Sequence, residues 1–206
     1  MSLGKARKAI GILAVSALAI TGCGSDSDDE TASTGTAADG TPAGETCVDG
    51  DTVTLGLLNS TSGPMAISEQ TVRDSLLLAV EEINADGGIM EKQIEVIEED
   101  GASDPAVFAE KIEKLLTEDE VEAVFGGWTS ASRKAMLPVV EANEGLLFYP
   151  VQYEGLEASE NIYYTGATTN QQIIPAMDFL KAEGVKTLFL ACSVFVFPRT
   201  ANKFIK

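Results

Sequence analysis

Val121-Glu122-Ala123-Val124-Phe125-Gly126-Gly127-Trp128-Thr129-Ser130-Ala131-Ser132-Arg133-Lys134 is the stretch that decides the fold. Its apolar first part, Val121 to Phe125, reads as a buried parallel strand. Two glycines then open into a hydroxyl-rich turn, and Lys134 to Glu141 reads as a helix despite Pro138. A strand that passes through such a turn into a helix leaves free backbone N–H groups at the helix start. In open α/β sheets, ligands sit outside the carboxyl ends of the strands, where these turns lie. Trp128, the only tryptophan in the chain, is on the turn. It either walls a ligand pocket there or merely plugs the top of the sheet.

The same alternation extends to both sides. Val53 to Leu58 reads as a first strand, followed by the polar turn Asn59 to Pro64. Glu69 to Ala85 carries Val72, Leu76, Ala79, Val80 and Ile83 on one stripe, the mark of a helix, and Asp86-Gly87-Gly88 stops it. Ile94 to Ile97 is a second strand. Asp104-Pro105 caps and starts another helix, with Val107, Phe108, Ile112, Leu115 and Leu116 on its inner face. Leu146 to Tyr149, Ile162 to Tyr164 and Thr187 to Ala191 are expected as the fourth, fifth and sixth strands. A helix from Gln171 to Glu183 is expected between the last two. Strands that alternate with helices throughout predict an α/β fold, a doubly wound parallel sheet with helices on both faces.

Composition removes several classes of function. The net charge of −18, from 32 acidic and 14 basic residues, speaks against binding nucleic acid. The chain has no histidine, so Ser-His-Asp and Cys-His catalysis and His-ligated metals are excluded. Cys23, Cys47 and Cys192 are too few and too scattered for a structural zinc site. No cofactor is implied.

The amino terminus reads as an export signal over residues 1–22. Lys5, Arg7 and Lys8 form its positive end, and Ala9 to Ile20 is an apolar run too short to span a membrane. It closes on Ile20-Thr21-Gly22-Cys23, which resembles a bacterial lipobox, so Cys23 is expected to carry lipid. That would anchor the protein to the outer face of the bacterial cytoplasmic membrane. Residues 23–51 read as an acidic linker. From Gly24 to Asp51 the chain holds eight acidic residues, no basic one and no hydrophobic period. Cys47, near its end, would be able to pair with Cys192 in an exported protein. The folded domain is expected over 52–206.

Three turns at strand ends should meet over one edge of the sheet: Asn59 to Gly63, Trp128 to Ser132, and Tyr149 to Glu154. Tyr164 to Asn170 would join them. These turns offer hydroxyls, amides and aromatic faces, with Glu154 as the one charge in the first three. Such a site suits a small uncharged polar ligand. It contains no titratable pair or activated nucleophile, so a binding protein is expected rather than an enzyme. The run Glu98-Glu99-Asp100 reads as solvated surface. Cys192 reads as buried and inert at a strand end.

Six blocks carry a resemblance to a known family: Pro64 to Glu69, Gly101 to Asp104, Trp128 to Lys134, Leu146 to Gly155, Asn170 to Gln172, and Phe197 to Asn202. Together they resemble the substrate-binding lipoproteins of urea ABC transporters. These belong to the type I periplasmic-binding-protein group, beside receptors for short-chain amides and branched-chain amino acids. The resemblance implies a two-lobed receptor that closes on urea and delivers it to a membrane permease. Carried over residue by residue, it implies that Trp128 and Tyr149 wall the pocket and that Ser130 hydrogen-bonds the ligand. Gln152 and the backbone around Val151 would contact the amide group, with Thr129 and Tyr153 beside them. Glu154 would either join the site or pair with Arg133. The family's chains are longer, so 52–206 is expected to be lobe 1, with the second lobe missing. A further departure lies at Cys192-Ser193-Val194-Phe195, where the family has Gly-Ser-Asp-Tyr.

Other readings remain open. The same fold would serve a receptor for short amides or branched-chain amino acids; an amino acid needs an acidic partner for its ammonium group, which the neutral turns disfavour but a second lobe could supply. A sensory ligand-binding lobe is an alternative of another class. An amidase using Cys or Lys is a third.

Overall fold

Val124 lies at the centre of a five-stranded parallel sheet and is fully buried. The computed structural model describes Val48 and residues 50–206, which lie in one unit, Thr46–Lys206. The expected signal segment, Cys23 and Cys47 fall outside the described residues. The strands are β1 (Thr52–Asn59), β2 (Gln93–Asp100), β3 (Ala123–Gly126), β4 (Leu147–Tyr149) and β5 (Ile162–Tyr164). Their order across the sheet is β2-β1-β3-β4-β5. The chain leaves β1 towards one side, then crosses back, so the direction of winding reverses between β1 and β3. Ligand crevices form at such a switch point.

Helices join the strands: α1 (Ala66–Ala85), α2 (Pro105–Thr117), α3 (Ser130–Ala142), α4 (Thr169–Ala182) and α5 (Val196–Ile205). Local chemistry sets their starts. Asp104 accepts hydrogen bonds from the Ala106 and Val107 N–H groups at 2.7 and 3.4 Å, and Pro105 fits the first turn of α2. Thr129 caps α3 by accepting from Ser132 N–H at 3.0 Å. The Gln171 side chain turns back to accept the Thr168 N–H at 2.9 Å and closes the start of α4.

The alternation of side chains along β1 serves both faces. Gly56 faces Leu115, Val121 and Val124 under α2, and the space around it admits no larger residue easily. Leu58, Phe108, Ile112, Leu115, Met136, Val140 and Leu147 form the core on that face, where α2 and α3 pack together. Each such side chain contributes about 1.5–3 kcal/mol by leaving water. Leu55 and Leu57 face the other way, towards α1. There the predicted stripe, including Leu76, Val80 and Ile83, borders an apolar cavity of about 150 Å³. The core is therefore one-sided: in α1 only Glu69 is fully buried.

Three expectations are corrected. Thr187 to Ala191 forms no strand, and Phe189 within it is 95% exposed. A strand persists by ladder hydrogen bonds, and this run pairs with no strand among the described residues. Cys192, which follows it, is exposed rather than buried, and its thiol accepts from the Asn202 amide at 3.1 Å. Asp100 is likewise more than solvated surface. Its Oδ1 accepts from the N–H groups of Thr61, Ser62 and Ala102, and its Oδ2 from the Ser62 hydroxyl. Burial alone would raise its pKa, but these bonds hold it well below the usual carboxylate range. The turn after β1 is shaped by this one carboxylate.

Gly126 makes the exit from β3 possible. Its φ is +144°, and a Cβ there would meet the Leu58 carbonyl oxygen at 2.0 Å. Gly126→Ala is expected to destabilise the domain by about 3 kcal/mol, from strain and the backbone clash together. Guanidinium unfolding followed by Trp128 fluorescence measures it; a loss under about 1 kcal/mol would contradict this account of the turn.

Candidate functional site

The carboxyl ends of β1 to β4 border a pocket of about 390 Å³. Pro64 and Met65 line it after β1, Ser103 and Pro105 after β2, and Trp128 to Ala131 after β3. Val151 and Gln152 follow β4, and Ser193 with Phe195 to Pro198 form the opposite wall. None of these lining residues is Asp, Glu, Lys or Arg. Four helices begin at the pocket: α1 after Met65, α2 at Pro105, α3 at Ser130 and α5 at Val196. Asp104 takes the Ala106 and Val107 N–H groups of α2 and Thr129 that of Ser132 in α3; the remaining helix-start N–H groups and their partial positive charge favour a carbonyl or carboxylate oxygen. Gln152 makes no hydrogen bond to the described residues, so its carboxamide is free both to donate and to accept.

Five of the residues singled out from sequence line this pocket: Trp128, Thr129, Ser130, Val151 and Gln152. Tyr149 and Tyr153 do not. Tyr149 is fully buried behind the turn, and its hydroxyl donates to the Trp128 carbonyl at 2.6 Å. Burial pushes its pKa up to about 12, so the phenol stays protonated and the bond to Trp128 persists. Tyr153 stacks on Tyr164 with ring centroids 4.5 Å apart, beside a separate polar pocket at the start of α4. The turn from Tyr164 to Asn170 borders that second pocket rather than the first. Gly166 lets it pack tightly, since a Cβ there would lie 2.1 Å from the Val151 carbonyl oxygen.

A buried cation holds the pocket's two central segments together. Arg133, in the first turn of α3, is completely buried. Its Nη2 donates to Glu154 Oε1 at 3.0 Å, its Nε to Glu157 Oε1 at 2.8 Å, and its Nη1 to the Ser130 hydroxyl at 3.2 Å. The guanidinium carbon lies 4.9 Å from the Tyr149 ring centre and 5.0 Å from that of Tyr153. Ser130 in turn donates to Glu154 Oε2 at 2.6 Å. Glu154 thus does pair with Arg133. Lys134 and the Tyr164 hydroxyl close the network on Glu157. Burial would raise the Glu157 pKa, but the bonds from Arg133, Lys134 and Tyr164 outweigh it and hold the group at about 2. Glu154 is also lowered, against burial, by the Ser130 bond and by Arg133.

Sequence reasoning missed Glu157, and also Met65, Ser103 and Pro105 as lining residues. Asp104-Pro105 was visible as a helix start, and a helix start at a strand's carboxyl end is itself a pocket signal. Glu157 sits 24 residues from Arg133, and no local pattern marks it.

The family model for the periplasmic binding protein domain matches residues 53–206. The chain belongs to this family. Among solved structures, this periplasmic binding protein domain is similar to a branched-chain amino acid transporter substrate binding protein from Streptococcus pneumoniae, in complex with isoleucine. Identity is 27%, the TM-score is 0.60, and the match covers 63% of this chain and 38% of that one. A solute binding protein of an ABC transporter from Rhodopseudomonas palustris, in complex with 3,4-dihydroxybenzoic acid, shares the fold at 22% identity. There the TM-score is 0.70, over 76% of this chain and 43% of that one. A leucine binding protein from Thermotoga maritima matches at 17% identity with a TM-score of 0.63, over 74% and 44%. The chain therefore spans less than half the length of these relatives, and its sheet is part of the type I periplasmic-binding-protein fold.

The depressed carboxylates give a pH window. A group whose pKa is lower folded than unfolded stabilises the fold above its unfolded pKa, and this contribution fades as pH falls through the folded one. Glu157 should therefore stabilise the domain fully above pH about 5 and progressively less towards pH 2. Unfolding free energies measured across this range should fall with acid, and Glu157→Gln should flatten the slope. An unchanged slope would show that Glu157 is not ionised in this network.

Proposed function

We propose that this domain is the first ligand-binding lobe of a solute receptor for an ABC importer, and that its ligand is urea or a similar small neutral amide. The observation that carries the reading is the neutral pocket at the sheet's switch point, with an unpaired carboxamide at Gln152. Urea needs partners for both a carbonyl oxygen and N–H groups. The helix starts supply donors for the oxygen, and Gln152 with Ser130 supplies acceptors. Trp128 walls the pocket and excludes water, with Thr129 and Val151 completing that side. The receptor acts by binding; the one lining hydroxyl that meets a carboxylate, Ser130, meets Glu154, whose lowered pKa makes it a weak base. The long blocks Trp128 to Lys134 and Leu146 to Gly155 support the urea receptors over their relatives.

A second reading is an amino acid. The Streptococcus pneumoniae protein was solved with isoleucine, and converging helix starts fit a carboxylate. An ammonium group would then need an acid, which the described lining lacks. Calorimetric titration of urea, acetamide and leucine into a two-lobe protein carrying this sequence separates the two. Saturable urea binding is expected, and Trp128→Ala should abolish it while unfolding stays cooperative. Leucine binding without urea binding would replace the first reading with the second.

We also infer that the receptor is exported and anchored to the outer face of the cytoplasmic membrane through lipid on Cys23, with residues 23–51 as its tether. Among the described residues no helix is long and apolar enough to cross a membrane. In a bacterial host Cys23→Ala should move the protein from the membrane fraction to the soluble one. A membrane-bound variant would rule out this anchor.

A further inference from the structure

Ser130 is a pocket hydroxyl whose hydrogen bonds to two buried charged side chains behind the wall fix what it offers in front; at Ser103 the backbone of Ser62 and Met65 does the same. A serine hydroxyl has one proton to donate and two lone pairs to accept with. The proton goes to Glu154 Oε2 at 2.6 Å. One lone pair takes Arg133 Nη1 at 3.2 Å. An ionised carboxylate only accepts, and a guanidinium only donates, so neither bond is able to reverse. Both partners are buried, Arg133 at 0% and Glu154 at 3% exposure, so water does not substitute for either.

We infer that Glu154 and Arg133, neither of which lines the pocket, determine specificity by making Ser130 a pure hydrogen-bond acceptor towards the ligand. One lone pair is left for the pocket, and it selects an N–H donor over a bare oxygen. This rests on the reading of the pocket as a site for small amides, and it gives that ligand an orientation. An amide N–H points at Ser130 Oγ, and the carbonyl oxygen points at the helix starts.

Glu154→Gln should invert the polarity. Arg133 Nη2 donates to Glu154 Oε1 at 3.0 Å, so the glutamine carbonyl oxygen keeps that place and its NH₂ replaces Oε2. The NH₂ then donates to Ser130, whose own proton turns to the pocket. Acetamide and acetate are nearly isosteric and differ in the group Ser130 would meet. Their affinities should be measured in the two-lobe protein, its Glu154→Gln, Glu157→Gln and Ser130→Ala variants. Glu157→Gln removes the same charge from the same guanidinium without touching Ser130, so it controls for net charge and for stability.

The acetamide-to-acetate affinity ratio should fall about tenfold or more in Glu154→Gln relative to Glu157→Gln. It should fall less far in Ser130→Ala, where the oxygen is lost and no donor is gained. Equal ratios in the two glutamine variants would overturn the inference, because they would reduce Glu154 to charge and packing. So would a Ser130→Ala ratio equal to that of the unaltered protein. If acetamide and urea both fail to bind the unaltered protein, the small-amide reading fails and this inference with it. Amide binding with an unchanged ratio would sink this inference alone.

Discussion

The guanidinium of Arg133 has no contact with water, and the pocket's central wall depends on how that charge is satisfied. A buried unpaired charge is not tolerated, and a buried pair persists only when further hydrogen bonds complete it. Here Glu154 and Glu157 supply the opposite charge, Ser130 takes one N–H, and the rings of Tyr149 and Tyr153 pack near the guanidinium. The planar fork matters, since a lysine ammonium cannot reach two carboxylates and a hydroxyl in fixed directions. The consequence is geometric. Residues 150–159 have no regular secondary structure, so side chains must hold them. The first turn of α3 and the segment carrying Val151 and Gln152 are thereby tied to one rigid group.

Charge also separates the pocket from the rest of the surface. The chain carries −18 overall, yet the described pocket lining is neutral. Much of the acid elsewhere is committed to structure: Glu99 pairs with Lys111 and Lys114, and Asp100 orders the turn after β1. Glu69, fully buried in α1, accepts the Ser60 N–H at 2.6 Å, and burial raises its pKa. The lining itself carries no acid, so the helix starts contribute partial positive charge there, offset at α2 by the Asp104 cap and at α1 by Glu69 in its first turn. A neutral ligand with an exposed carbonyl oxygen profits from this without needing a cationic side chain.

The parts legible in sequence are those governed by local chemistry. Asp104-Pro105 marks the α2 start because the cap acts within three residues. Phe108, Ile112 and Leu115 mark its buried face because helical spacing alone puts them there. The turn at Gly126-Gly127 was legible for the same reason. Thr187 to Ala191 shows the limit: its composition suits a strand, but a strand exists only where a neighbour offers a ladder, and composition does not reveal that. Tyr149 and Tyr153 show another. Both lie on the loop whose Val151 and Gln152 line the pocket, but they face Arg133, and the loop's own sequence does not show which residue the guanidinium faces. Glu157 was invisible because its partner is distant in the chain.

The two walls of the pocket are held by different forces. Trp128 to Ala131, Val151 and Gln152 descend from β3 and β4, whose ladders and buried side chains fix them to the sheet. Ser193 and Phe195 lie in a segment without regular structure, Val196 to Pro198 open α5, and α5 packs mainly on α4 and α3. Hydrogen-bond selection demands donors and acceptors fixed to within a fraction of their own length, which a ladder-anchored wall supplies. A wall held by helix packing supplies shape and apolar cover instead. In the proposed receptor, recognition of the ligand's polar groups would therefore belong to the sheet side, where Ser130, Gln152 and the start of α3 stand. The side of Phe195 to Pro198 would then serve to exclude water from a ligand held on the sheet side.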